Sequence, residues 1–190
     1  MARSLNLAER QAEKILELNP GMGASYLLRG TIAILRGQHD EAVELCKKAV
    51  DLAPSDFRAL GFLGQFYLYA GEAEKAAMTL KTAMRLNPHR ESWLTYYVTL
   101  ANLWMGNLAA ALESAKLHLQ QEPDEPYGLM YLAVVYGFLE QKGKARATVA
   151  QLKERFPAFG IKNVVLSEHY KDRGKLERIV NILRDAGLPE

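Results

Sequence analysis

The sequence predicts an all-α fold built from repeated pairs of antiparallel helices. Prolines recur at a fixed interval: Pro20, Pro54 and Pro88 lie 34 residues apart, and Pro123 and Pro157 continue the series after one extra residue. A period of this length is typical of helical-repeat proteins, in which each repeat is one supersecondary unit. Proline ends each second helix because its nitrogen has no hydrogen to donate.

The same period places small or apolar residues where the paired helices cross. A small side chain at a crossing lets two helices approach closely. Twelve residues before each proline the sequence has Ala8, Ala42, Ala76, Ala111 and Ala145. Five residues before each proline it has Ile15, Ala49, Ala83, His118 and Leu152. Only His118 departs from the apolar pattern. The first helices repeat apolar residues at i, i+3, i+4 and i+7, which indicates one buried face per helix.

Two segments, YLLRGTIAILRGQHDEAVELCKKAVDLAP and GFLGQFYLYAGEAEKAAMTLKTAMRLNP, carry the small and large positions of tetratricopeptide repeats in order. From about residue 5 to 157 the chain resembles that family. The resemblance implies a right-handed α-solenoid that binds a protein or peptide on its concave surface. The pattern departs at Arg29 and Ala33, where the family has Leu and Tyr, and at an extra residue that we place near Gly106. We expect looser packing there.

The period also predicts the chain's organisation. A half repeat over Ser4–Leu18 and four helix pairs from Gly23 to Phe156 form one solenoid domain, residues 1–157, and residues 158–190 form a helical C-terminal cap. A chain that begins in mid-repeat suggests a longer protein upstream, unless Arg3–Leu18 is itself a cap. The ending LRDAGLPE resembles the tails of bacterial class III nucleotide cyclases or winged-helix regulators that carry these repeats. The cap helix is predicted from one apolar stripe: Leu176, Ile179, Val180 and Leu183.

Composition argues against several classes of partner and site. The 24 Lys and Arg nearly balance the 22 Asp and Glu, and a net charge of +2 offers little attraction for nucleic acid or membranes. The single cysteine, Cys46, fits a reducing cytoplasm and reads as a buried small residue. The four histidines are far apart in sequence, so we predict no metal site, no cofactor and no catalytic residues.

The candidate site is the inner, concave surface of the first helices, which we expect to mix apolar and polar side chains. Tyr127 and Phe138 are the leading contacts. Relatives that clamp chaperone tails carry Lys and Asn at particular positions of this surface, which disfavours chaperone-tail binding here. The corresponding positions of this sequence are Leu27 and Thr31, Gly61 and Gln65, and Thr95 and Thr99. The predicted groove consists of Leu27, Thr31, Arg58, Gln65, Tyr69, Thr95, Asn102, Tyr127, Met130 and Phe138.

Three functions remain open at this point. The leading one is a scaffold that receives an extended or helical segment of a protein partner in its concave groove. The second is the regulatory or assembly region of a larger bacterial signalling protein, such as a nucleotide cyclase or a transcription regulator. The third is an enzyme with a pocket between the concave face and the C-terminal helices. The oligomeric state, including a homo-oligomer, and whether the C-terminal helix covers the groove are also open.

Overall fold

The computed structural model describes residues 10–15, 17–19, 21–87 and 91–190, and all regular structure within these ranges is α-helical. The chain divides into two compact units, Met1–His89 and Arg90–Glu190. Residues 10–15 and 17–18 are helical. The rest of the half repeat predicted over Ser4–Leu18 lies outside the described residues. The domain boundary that the sequence predicted at residue 157 stays a prediction.

The first unit contains two antiparallel helix pairs, α1 with α2 and α3 with α4, and α3 also contacts α1 and α2. Ala42, Ala49, Ala76 and Ala83 are all buried where the period predicted small residues at the crossings. The helices are α1 (Gly23–Leu35), α2 (His39–Leu52), α3 (Phe57–Ala70) and α4 (Ala73–Leu86).

Close approach within the second pair requires glycine at one position. A Cβ atom added to Gly64 of α3 would lie 2.6 Å from Cγ of Leu80 on α4, and Leu80 is itself fully buried. The predicted buried position of Cys46 on α2 is confirmed, and burial raises the pKa of its thiol to about 12.

The second unit contains two further pairs, α5 with α6 and α7 with α8, followed by two C-terminal helices. Helix α10 packs against α7 and α8, and α9 packs against α10. The amide of Ile161 donates to the carbonyl of Pro189 at 2.8 Å, which joins the start of this C-terminal region to its end. The helices are α5 (Ser92–Trp104), α6 (Leu108–Gln121), α7 (Pro126–Phe138), α8 (Lys142–Arg155), α9 (Ile161–Ser167) and α10 (Arg173–Asp185).

The turn within each pair has one left-handed residue: Gly37, Gly71, Gly106 and Glu140, with φ of 77°, 96°, 77° and 59°. Glycine adopts this conformation without the steric cost that a Cβ imposes. Each of these residues lies 14 positions after the start of the preceding first helix. The sequence indicated an extra residue near Gly106 in the third repeat. That prediction is wrong, because the turn at Gly106 has the same spacing as the other three turns.

The extra residue belongs to the connection before α5. Four residues separate α2 from α3 and α6 from α7, whereas five separate α4 from α5. A connection can absorb one residue, while an insertion inside a helix would turn every later side chain by about 100°. Each position of α3 therefore corresponds to the position of α5 that lies 35 residues later in the chain. The groove residues of α5 had been predicted with a spacing of 34 residues.

Candidate functional site

In the first unit, the inner face of α1 and α3 is partly accessible. Leu27, Thr31 and Gln65 are half-buried, and Arg58 is exposed. The Thr31 hydroxyl donates to the Leu27 carbonyl at 3.0 Å, so these two residues lie one turn apart on α1. Tyr69 is 2% exposed because α3 packs against α1, α2 and α4. Four of the five groove residues predicted for this unit thus retain accessible surface, and we call these four the α1–α3 face.

In the second unit, residues of the C-terminal region cover the corresponding face of α5 and α7. The Tyr127 ring packs edge-on against Phe159, with centroids 5.5 Å apart. The Phe138 ring lies 5.6 Å from the Trp104 ring, and the guanidinium of Arg178 sits 4.0 Å above the Phe138 centroid. The C-terminal region therefore covers part of this face, and Tyr127 and Phe138 remain half-buried.

Three of the residues predicted for the groove are buried and cannot contact a partner in this conformation: Tyr69, Thr95 and Met130. Thr95 is 1% exposed because the shifted register of α5 places Tyr96, not Thr95, at the groove position. Met130 is 0% exposed because α7 is packed by α5, α6, α8 and α10. Asn102, which lies on the same helix as Thr95, is half-buried and donates to the Val98 carbonyl at 3.0 Å.

A buried carboxyl group joins the C-terminal region to the face of α5 and α7. Glu168 is 0% exposed and accepts a hydrogen bond from the Tyr96 hydroxyl at 2.5 Å. The Tyr131 and Tyr170 hydroxyls also act on this carboxyl, and the Trp104 indole donates to the Tyr170 oxygen at 3.2 Å. Burial raises the pKa of Glu168, and the three tyrosine hydroxyls oppose that rise. We call these five residues the Glu168 cluster.

A cavity of about 300 Å³ opens beside this cluster, within the second unit. Aromatic rings form most of its walls, and Glu125 and His118 supply polar groups. His118 is 4% exposed, its Nδ1 lies 3.1 Å from the Ser92 carbonyl, and burial lowers its pKa. The lining residues are Ser92, Trp93, Tyr96, Tyr97, His118, Glu125, Tyr127 and Ser167.

The sequence did not identify Glu168 or Tyr170, because both lie in residues 158–190, which it predicted only as a helical C-terminal cap. It did single out His118 as the departure from the repeat pattern. Among the described residues, no group of three or more His, Cys, Asp or Glu is placed to hold a metal ion. Within the same ranges, no helix is both long and apolar enough to cross a membrane.

These helix pairs define a helical-repeat protein, and comparisons with known proteins identify the type of repeat. Residues 33–95 match the family model described as tetratricopeptide repeat. A segment of 86 residues is 33% identical to the BBSome complex member BBS4 of Bos taurus, over 45% of this chain. The chain spans 16% of the length of that protein and 12% of the Mus musculus relative.

Solved structures extend the similarity over nearly the whole chain. PilW, a type IV pilus biogenesis factor, superimposes with a TM-score of 0.79 at 16% identity, covering 97% of this chain and 82% of its own. TTC0263, a thermophilic TPR protein from Thermus thermophilus, gives a TM-score of 0.72 at 25% identity, with coverages of 95% and 91%. YrrB gives 0.62 at 15% identity, with coverages of 92% and 90%.

Residues 33–95 therefore match a tetratricopeptide repeat, and the all-α, solenoid-type fold is the one that the sequence predicted. Repeat architectures of this kind present extended surfaces that can bind other proteins. The similarity of the C-terminal tail to cyclases and transcription regulators stays a prediction, as does the cytoplasmic location.

Proposed function

We propose that this protein binds a segment of a partner protein on the α1–α3 face of its first unit. The observation that carries the proposal is the accessible mixture of side chains there: an aliphatic group at Leu27, hydrogen-bonding groups at Thr31 and Gln65, and the exposed cation of Arg58. Apolar area supplies affinity, while the polar groups fix the orientation of a bound chain.

The second unit indicates what kind of segment such a face accepts. The equivalent helices α5 and α7 hold residues of this chain's own C-terminal region through the Phe159 ring and the Glu168 carboxyl. By the same chemistry, the α1–α3 face suits a segment with an apolar side chain for Leu27 and an acidic side chain for Arg58. YrrB, described as a TPR protein with an unusual peptide-binding site, supports the use of this fold for peptides.

Selection from a library of random peptides, each about 12 residues long and displayed on phage, tests the proposal. The double variant Leu27→Ala/Arg58→Glu removes the apolar contact and reverses the charge. Its matched control is Leu52→Ala/Lys81→Glu, which makes the same chemical changes at exposed positions of α2 and α4. Circular dichroism should give equal helicity for both variants, because none of the four side chains is buried.

We expect the selected peptides to be rich in Asp or Glu with at least one apolar residue. They should bind the control variant and the unchanged protein with equal affinity. They should bind the Leu27→Ala/Arg58→Glu variant at least about tenfold more weakly. Equal binding to both variants would show that the peptides bind somewhere other than the α1–α3 face. A selection that enriches no peptide would contradict segment binding on this face.

A further inference from the structure

The cavity of the second unit is walled by aromatic rings set nearly perpendicular to one another. Tyr96 stands at 87° to Tyr97 and at 88° to Tyr127, with centroid distances of 4.6 Å and 6.3 Å. Trp93 meets Tyr97 at 78° and 6.3 Å. Rings arranged in this way present both faces and edges to the enclosed space, and an aromatic face attracts a cation through its negative quadrupole.

The hydroxyl hydrogens of three lining residues are already used inside the protein. The Ser92 hydroxyl donates to Glu122 at 2.8 Å, the Ser167 hydroxyl donates to the Val164 carbonyl at 3.1 Å, and the Tyr96 hydroxyl donates to Glu168. The indole of Trp93 likewise donates to Glu91 at 2.6 Å. What these hydroxyl oxygens have left to offer a ligand is lone pairs, so the cavity favours a ligand that donates.

His118 also lines the cavity, as a buried imidazole. A backbone carbonyl only accepts hydrogen bonds, so the contact between His118 Nδ1 and the Ser92 carbonyl requires the proton on Nδ1. Burial lowers the pKa of His118, which keeps the imidazole neutral and leaves a lone pair on Nε2. This Nε2 atom is buried and has no hydrogen-bond partner among the described residues.

The charges around the cavity are negative. Glu125 lines the cavity and is exposed. Two more carboxylates are hydrogen-bonded to lining residues: Glu122 to Ser92, and Glu91 to Trp93. No Lys or Arg is among the lining residues of this part of the structure. Both Glu122 and Glu125 act electrostatically on His118, so their field reaches the cavity wall.

We propose that this cavity binds an arginine side chain of a basic peptide segment from a partner protein, separately from the α1–α3 face. A guanidinium has five N–H donors for the acceptors of the cavity, a positive charge for Glu125, and a flat face that stacks on aromatic rings. Lysine offers fewer donors and no flat face, and an acidic side chain would meet repulsion from Glu125.

Calorimetric titration of the full chain with short blocked peptides tests this assignment. The peptides are Ac-Gly-Gly-Arg-Gly-Gly-NH2 and three versions with citrulline, lysine or glutamate in place of arginine. Citrulline keeps the shape of arginine but has a carbonyl oxygen in place of one NH2 group, which removes the charge and two N–H donors. The informative variant is Glu125→Gln, and Glu113→Gln is its control because Glu113 is an exposed carboxylate on α6 that does not line the cavity.

We expect the arginine peptide to bind about tenfold more tightly than the citrulline peptide, the range of a partly desolvated cation–π contact. Glu125→Gln should weaken arginine binding about threefold to tenfold, and Glu113→Gln should leave it unchanged. A second variant, Trp93→Leu, checked for helicity, should weaken it similarly through loss of an aromatic wall.

Equal binding of citrulline and arginine, or equal effects of Glu125→Gln and Glu113→Gln, would overturn the proposal. So would the lack of any heat of binding at about 10 mM peptide, a concentration at which even a weak site with a Kd of about 1 mM is occupied. Lysine binding as tight as arginine would overturn the assignment to arginine. None of these variants changes the α1–α3 face. If arginine does not bind the cavity, the peptide-selection test of the α1–α3 face is therefore unaffected.

Discussion

Replacement of Glu168 tests whether the C-terminal region is held to α5 and α7 by the buried carboxyl. Glu168→Ala removes the acceptor for the Tyr96 hydroxyl and leaves the buried hydroxyls of Tyr131 and Tyr170 without this carboxyl. Glu168→Gln keeps the shape and one acceptor oxygen but cannot ionise. Comparison of the two separates the loss of contacts from the loss of charge.

The magnitude follows from the hydroxyls left behind. A buried donor without an acceptor costs about 1–3 kcal/mol. The Tyr96 and Tyr131 oxygens are 3.3 Å apart and can pair, and Tyr131 can in turn donate to Tyr170, so one hydroxyl hydrogen rather than three is left without an acceptor. With the small cavity that alanine creates, we expect Glu168→Ala to lower the free energy of unfolding by about 2–4 kcal/mol. Glu168→Gln should cost about 1 kcal/mol or less near pH 7.

The dependence on pH has an unusual sign for a carboxyl group. Burial raises the pKa of Glu168 in the folded protein above its unfolded value of 4.5. Between these two pKa values the folded state binds more protons than the unfolded state, so stability falls as the pH rises through this window. The contribution is full below about pH 4.5 and is lost above the folded pKa, with a slope of at most about 1.4 kcal/mol per pH unit. Glu168→Gln abolishes it.

Urea denaturation of the unchanged protein and of Glu168→Gln, followed by circular dichroism from about pH 4.5 to 8, measures this difference. The stability advantage of the unchanged protein should shrink as the pH rises. Hydrogen exchange should show faster opening of residues 159–178 in Glu168→Ala. If the two pH profiles run parallel, or if alanine costs less than about 1 kcal/mol, the carboxyl does not hold this region as described.

Two further predictions concern the first unit and its repeat packing. Gly64→Ala should lower the free energy of unfolding by about 1–3 kcal/mol, because the added Cβ meets buried Leu80. Gly143→Ala, with no atom within 4 Å of the added Cβ, should raise it by about 0.5–1 kcal/mol through helix propensity. Urea midpoints give both values, and equal midpoints would refute the close-packing argument. Cys46, with a thiol pKa of about 12, should resist iodoacetamide at about pH 8 until urea unfolds the protein. Equal labelling rates with and without urea would show that the thiol is accessible.

Local rules explain why the helix pairs could be predicted. The prolines, the alanines at the crossings and the apolar spacing each depend on residues within one repeat, and the stripe of Leu176, Ile179, Val180 and Leu183 is buried as one face of α10. The register of α5 could not be predicted in the same way. One extra residue before Ser92 fits the repeat period about as well as one near Gly106, and only the bounds of the helices separate the two.

The sequence by itself determined the all-α fold and the pairing of the helices, and it predicted the first helices as the surface that partners would meet. The tertiary structure decided which of those side chains remain accessible. Residues 72 positions apart in the chain, Tyr96 and Glu168, form one hydrogen bond, and no periodicity relates them. Contact between elements so distant in sequence depends on how the C-terminal region packs, and that packing covers part of the groove face of the second unit and adds Ser167 to the cavity beside it.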